Sequence, residues 1–192
     1  MKTVLLALWF ALAAAPLAFA ADATLKAGSF DPPRSAPEFS LAGSDGTALT
    51  LARYRGKTVL LSFGYTSCTA VCPVTLATLA RARKLLGADA AQVQVVYITV
   101  DPQRDNPQRM RKFLATFDPT FIGGSGSDKE LAAVRTQYGV SATRINLPDG
   151  DYSYSHSSFT YLIDRDGRIR ALMPFGHSAD DFAHDLRVLL KP

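Results

Sequence analysis

Cys68, Cys72 and His156 are the side chains of this 192-residue sequence whose types could do chemistry together. The two cysteines are the only ones in the chain. They stand in the stretch YTSCTAVCPVTLA, with three residues between them and Pro73 directly after. Three chemistries compete for them: a structural disulfide, a redox-active dithiol, or a pair of metal ligands. A disulfide here would close a loop of five residues, and loop entropy makes so short a closure worth only roughly 2 kcal/mol. A chain of this length can bury a core without such a staple. The functional readings start from position. A cysteine at a helix N-terminus feels the positive end of the dipole and unpaired N–H groups, which lower its pKa, and the thiolate is both nucleophile and metal ligand. In a helix-like turn the i, i+4 spacing sets both side chains on one face, with Cβ atoms roughly 5–6 Å apart.

The elements around them are legible from pattern. Glu38 to Leu51 reads as a hairpin turning at Asp45-Gly46. Lys57–Tyr65 and Val93–Val100 are continuous apolar runs, as buried central strands should be. Pro73 opens a helical pattern that Gly87 stops. Asp105-Asn106-Pro107 starts a second helix, Ser127-Asp128-Lys129-Glu130 is a capping box for a third, and Ser178 caps a last one. Ser158–Asp164 and Arg168–Met173 are late strands joined by Asp166-Gly167. This order predicts an α/β fold, a thioredoxin-like three-layer sandwich with an N-terminal β-hairpin extension. The cysteine loop then lies at the carboxyl end of a central strand, where open α/β sheets place their chemistry.

Thioredoxin-like reductases usually carry two residues between their cysteines and a cis-proline before the third central strand. Here the corresponding stretch, DYSYSHSSF over Asp151 to Phe159, has no proline and holds His156. Two sulfurs and an imidazole suit Cu(I), Cu(II) or Zn(II). Other candidates read more plainly. Met110 and Met173 are core residues before they are thioether ligands. His177 and His184 belong to the last helix and its cap. Gly123-Gly124-Ser125-Gly126 lacks the Gly-Lys-Ser/Thr of a phosphate loop and reads as a flexible connection.

Together these residues resemble the Sco/SenC family of exported, thioredoxin-fold copper proteins. The likeness rests on Tyr65-Thr66-Ser67-Cys68, Cys72-Pro73, the segment Thr99 to Asp105 (TVDPQRD), Asp151-Tyr152 ahead of His156, and Tyr161 to Gly167 (YLIDRDG). It implies copper, as Cu(I) or Cu(II), held by Cys68, Cys72 and His156. It also implies delivery to the copper site of cytochrome c oxidase subunit II, with a thiol-disulfide reductant and another copper chaperone as further partners. Asp101, Arg104 and Asp105 become residues that support the site or dock a partner. The alternative is a periplasmic thiol-disulfide reductase with Cys68 and Cys72 as its catalytic pair. Thr69 and Ser155 stand where the family often has proline and aspartate.

Lys2 precedes the uncharged run Thr3 to Ala20, which closes on Ala18-Phe19-Ala20, a small-x-small cleavage pattern. Residues 1–20 are therefore expected to be a signal peptide and 21–37 a flexible lead-in, with the thioredoxin-like domain over 38–192. Left uncleaved, the 18 residues from Thr3 to Ala20 would sit at the lower limit for an inner-membrane anchor. Either outcome sends the domain to a periplasm, where nearby thiols oxidise unless something reduces them. A net charge of +4 with no Lys/Arg run gives no case for nucleic acid.

Overall fold

The computed structural model describes residues 24–148 and 150–191, and the expected signal peptide lies outside them. Along the chain, β1 (Gly28–Ser35) is followed by the hairpin β2 (Ser40–Gly43) and β3 (Ala48–Thr50). Next come β4 (Thr58–Gly64), α1 (Val71–Leu85), β5 (Val93–Thr99), α2 (Pro107–Ala115) and β6 (Ile122–Ser125). After α3 (Asp128–Tyr138), a separate hairpin forms from β7 (Ala142–Asn146) and β8 (Tyr152–His156). The late pair β9 (Phe159–Ile163) and β10 (Arg168–Pro174) leads into α4 (Ala179–Leu190).

The main sheet runs β1-β10-β9-β4-β5-β6-β2-β3. Only β4, β5 and β6 are mutually parallel. Every residue of β4 is buried, as a parallel strand covered on both faces requires. Register puts Ser62, Tyr97 and Thr160 in one row across β4, β5 and β9. Residues paired in register share a face, so α1, which brings Cys72 against this row at Gly64, and α2, whose Met110 packs on Gly123, lie on that side. Helix α4 packs on α1. On the other face the Tyr138 ring of α3 meets Phe63 and Tyr161, at 5.8 and 5.1 Å between centroids. The three layers are those the pattern predicts. Among the described residues no helix is long and apolar enough to cross a membrane.

Three segments differ from the sequence reading. The lead-in expected over 21–37 gives way at Gly28 to an edge strand paired antiparallel with β10. The buried Asp185 carboxylate of α4 fixes its start by accepting the Lys26 and Ala27 amides at 2.7 and 2.9 Å. Pro32 and Pro33 are tolerated because an edge strand needs only half its ladder. The expected flexible Gly123–Gly126 connection is largely β6, a packed strand. A Cβ on Gly123 would come within 2.9 Å of Met110, and one on Gly124 within 2.8 Å of Leu49. Glycine is there for close approach, not for looseness. Third, the β7–β8 hairpin carries His156.

Candidate metal and thiol site

β4 ends at Gly64 and the chain turns through Tyr65 to Ala70 into α1. The helix begins at Val71 rather than Pro73, so Cys72 lies inside its first turn. Ala70, at the N-cap, offers no side-chain acceptor. Cys68 takes that role: the Cys72 amide donates to the Cys68 sulfur at 3.4 Å. Cys68 is half-buried and Cys72 buried, and both are free thiols.

The sulfurs differ in charge as well as exposure. The hydrogen bond from the Cys72 side chain holds the Cys68 thiol down at about 3, against the opposing effect of its partial burial, and the His156 ring and the Cys72 and Ala70 amides act in the same direction. The Cys68 thiolate, with burial, pushes Cys72 far up. The pair therefore keeps one proton, and Cys72 has it.

His156 ends β8. Its Nδ1 is 2.9 Å from the Ser157 carbonyl, which can only accept, so Nδ1 carries the proton in the neutral ring. Nε2 then presents its lone pair 3.5 Å from Cys72 Sγ. When the ring is protonated, Nε2–H becomes a donor to the same sulfurs. Ser155, where the family often has aspartate, is exposed, and the Ser157 carbonyl is the group that fixes the ring's tautomer. Among the described residues no group of three or more His, Cys, Asp or Glu stands ready-made for a metal; these three side chains contact one another instead. Two thiols and an imidazole with a free Nε2 nevertheless form a soft donor set that fits copper or zinc.

The DPQRD segment divides its labour. Asp105, fully buried, accepts from the Thr66 amide at 2.9 Å, the Thr66 hydroxyl at 2.5 Å and the Thr99 hydroxyl at 2.7 Å, tying down the cysteine loop. Asp101 and Arg104 hold the histidine hairpin. Arg104 bonds Asp101 through Nε at 2.5 Å, Asp151 at 3.1 Å and the Tyr152 carbonyl at 3.0 Å. The Tyr152 hydroxyl donates to Asp101 at 2.9 Å. Its ring lies between the Arg104 and Arg144 guanidinium groups, each 3.8 Å from the centroid. Tyr65 links the two halves: its hydroxyl accepts from the Tyr154 amide at 3.3 Å, and its ring meets His156 edge-on.

Four lesser candidates lie elsewhere. Met110 and Met173 are fully buried in the core. His177 faces Asp181 at 3.7 Å, and His184 contacts Asp185 at 2.9 Å. Sequence reasoning missed Tyr65, Thr66 and Tyr152 as positioning residues, and with them Arg109, which donates to the Thr66 and Ser67 hydroxyls at 2.7 and 2.8 Å. Only the turn signal Pro148-Asp149-Gly150 could have revealed the hairpin that places Tyr152.

Comparison with known proteins adds to this geometry. The sequence model of the SCO1/SenC family matches residues 28–191. An SCO2-like protein of Rickettsia prowazekii is 35% identical over 132 residues, which is 68% of this chain and 64% of that protein. The match thus spans a little under two thirds of the relative's own length. The solved structure of Bradyrhizobium japonicum ScoI with copper bound has a TM-score of 0.76 and 38% identity, covering 81% of this chain and 99% of that one. Yeast Sco1 with copper bound has a TM-score of 0.73 and 27% identity over 81% of this chain and 87% of that one. These neighbours share the thioredoxin-like arrangement of sheet and helices described above.

Proposed function

The chain belongs to the SCO1/SenC family, and on that premise we propose that it is an exported copper metallochaperone. Cys68, Cys72 and His156 hold one copper ion as cargo in the periplasm. The recipient is the copper site of cytochrome c oxidase subunit II, as the family resemblance implies, and a thiol-disulfide reductant keeps the cysteine pair able to bind. The observation that carries this reading is the single contact between Cys72 Sγ and His156 Nε2 at 3.5 Å, with Nδ1 committed to the Ser157 carbonyl. That tautomer frees the ring nitrogen nearest the sulfur for a metal. Two thiolates and one imidazole leave room for an entering ligand, as transfer between proteins needs; a closed four-ligand site would resist it. Bound copper requires both sulfurs deprotonated, so loading releases the proton Cys72 holds.

A second reading, a thiol-disulfide reductase, is favoured by one observation. Cys68 is a half-buried thiolate with a buried thiol beside it, the pattern of an attacking and a resolving cysteine. Anaerobic titration of the reduced protein with copper, read by native mass spectrometry, separates the two. The metallochaperone binds one equivalent, and His156→Ala loses it while keeping its free thiols. A reductase without cargo binds none, and one equivalent bound equally well by His156→Ala would remove the histidine from the ligand set.

A further inference from the structure

Tyr97 lies in the middle of β5, one strand from the cysteine loop. It is 1% exposed. Its hydroxyl is one of four buried side-chain polar atoms without a hydrogen-bond partner among the described residues. The other three, on Tyr54, Thr58 and Arg83, lie away from the cysteines. A phenylalanine would fill the same space in the sheet, so packing explains the ring and leaves the oxygen unexplained. A buried hydroxyl with no partner costs stability, and native proteins retain such groups where something else uses them.

The neighbourhood says what that is. A Cβ built on Gly64 would collide with the Tyr97 oxygen and lie 2.8 Å from Cys72 Sγ. Oxygen and sulfur therefore converge on the space that glycine leaves open at the end of β4. Tyr97, Cys72 and His156 also line one cavity of about 210 Å³. Cys72 is 2% exposed, so its sulfur as a thiolate would be poorly solvated. The protein supplies donors instead: the Tyr65 backbone is one, and the Tyr97 hydroxyl is the side chain placed to be another.

We propose that Tyr97 is a positioning residue for the copper site, donating its phenol hydrogen to the Cys72 sulfur when that sulfur is a metal-bound thiolate. This rests on the copper reading above. A hydrogen bond to a coordinating sulfur draws electron density from it, which tunes both the affinity and the electronic character of the metal–thiolate bond. The hydroxyl lies against a protonated sulfur, a weak acceptor, in the metal-free form, and meets a stronger, charged acceptor once copper replaces the thiol proton. It therefore favours the loaded state over the empty one.

Tyr97→Phe tests this with copper alone as the probe. The variant should still bind one equivalent, with affinity lowered about 10–100-fold against a chromophoric chelator. The sulfur-to-Cu(II) charge-transfer band should move to longer wavelength, because a thiolate without its donor gives up an electron more easily. The metal-free variant should melt no lower than the wild type, since it has lost only an unpaired hydroxyl. In wild-type protein the copper–sulfur vibration should shift on deuterium exchange, a readout that needs no variant to fold. Equal affinity and an unchanged band, or a wild-type vibration indifferent to deuterium, overturns the inference while leaving the copper reading intact. So does a metal-free variant that melts lower, which makes the hydroxyl a stability element. A wild type that takes up no copper sinks the copper reading, and this inference with it.

Discussion

At the scale of single residues, the cysteine pair divides one proton unequally because the fold treats two chemically identical groups differently. Cys68 caps the bare first turn of α1 and keeps part of its surface in water, whereas Cys72 is enclosed by the sheet. This asymmetry sets a pH dependence. The pKa of Cys68 is depressed in the folded state, so its stabilising contribution is complete above the unfolded thiol value of about 8.5. It is lost progressively as pH falls toward the folded value of about 3. Cys72 is shifted the other way and subtracts from stability above about 8.5, where the unfolded chain would ionise it. Labelling with iodoacetamide reads the same asymmetry. In reduced, metal-free protein Cys68 should react at a rate nearly constant from pH about 8 down to about 5, with Cys72 protected. A Cys68 rate that drops tenfold per unit below about pH 8.5 would show an ordinary thiol.

Elements decide whether those residues meet. The cysteine loop and the histidine hairpin are far apart in sequence, and the short DPQRD turn after β5 holds both. Asp105 takes the loop and Asp101 with Arg104 takes the hairpin. Arg104→Ala should therefore separate the two functions. Removing the guanidinium leaves Asp101, fully buried, without its ion-pair partner. Breaking a buried pair costs about 3–5 kcal/mol, and the low end applies because the Arg104 side chain is itself 19% exposed. Copper affinity should fall about 10–100-fold as His156 loses its anchor, while the labelling of Cys68 stays as it was. Unchanged affinity would show that the hairpin holds its place without the clamp. The same elements show what sequence could and could not reveal. The buried runs of β4 and β5, the capping boxes of α3 and α4 and the late β9–β10 pair follow local pattern, and all were legible. β6 was hidden because its glycines answer to Met110 and Leu49, residues distant in the chain. β1 was hidden because its anchor is Asp185, more than 150 positions later. The β7–β8 hairpin is polar on most of its surface, so its strands lack the apolar alternation that marks a half-buried sheet.

For the whole molecule, the thioredoxin-like frame places a thiol pair at the end of a central strand and brings an imidazole to it where reductases of this fold usually carry a proline. The cysteines and the histidine could be picked from sequence because their residue types are rare in this chain, with two cysteines and three histidines in all. The supporting hydrogen bonds could not, because tyrosine, threonine and arginine are common and only tertiary contact distinguishes the ones that matter. The site joins β4, α1 and β8, so its geometry belongs to the folded domain rather than to any one segment. X-ray absorption at the copper edge on protein loaded with one equivalent tests that union most directly. Two sulfurs at about 2.2–2.3 Å and one imidazole nitrogen at about 2.0 Å are predicted, by analogy with the bond lengths soft metals make to these donors. A shell of sulfur alone, or one whose nitrogen remains after His156→Ala, would contradict it.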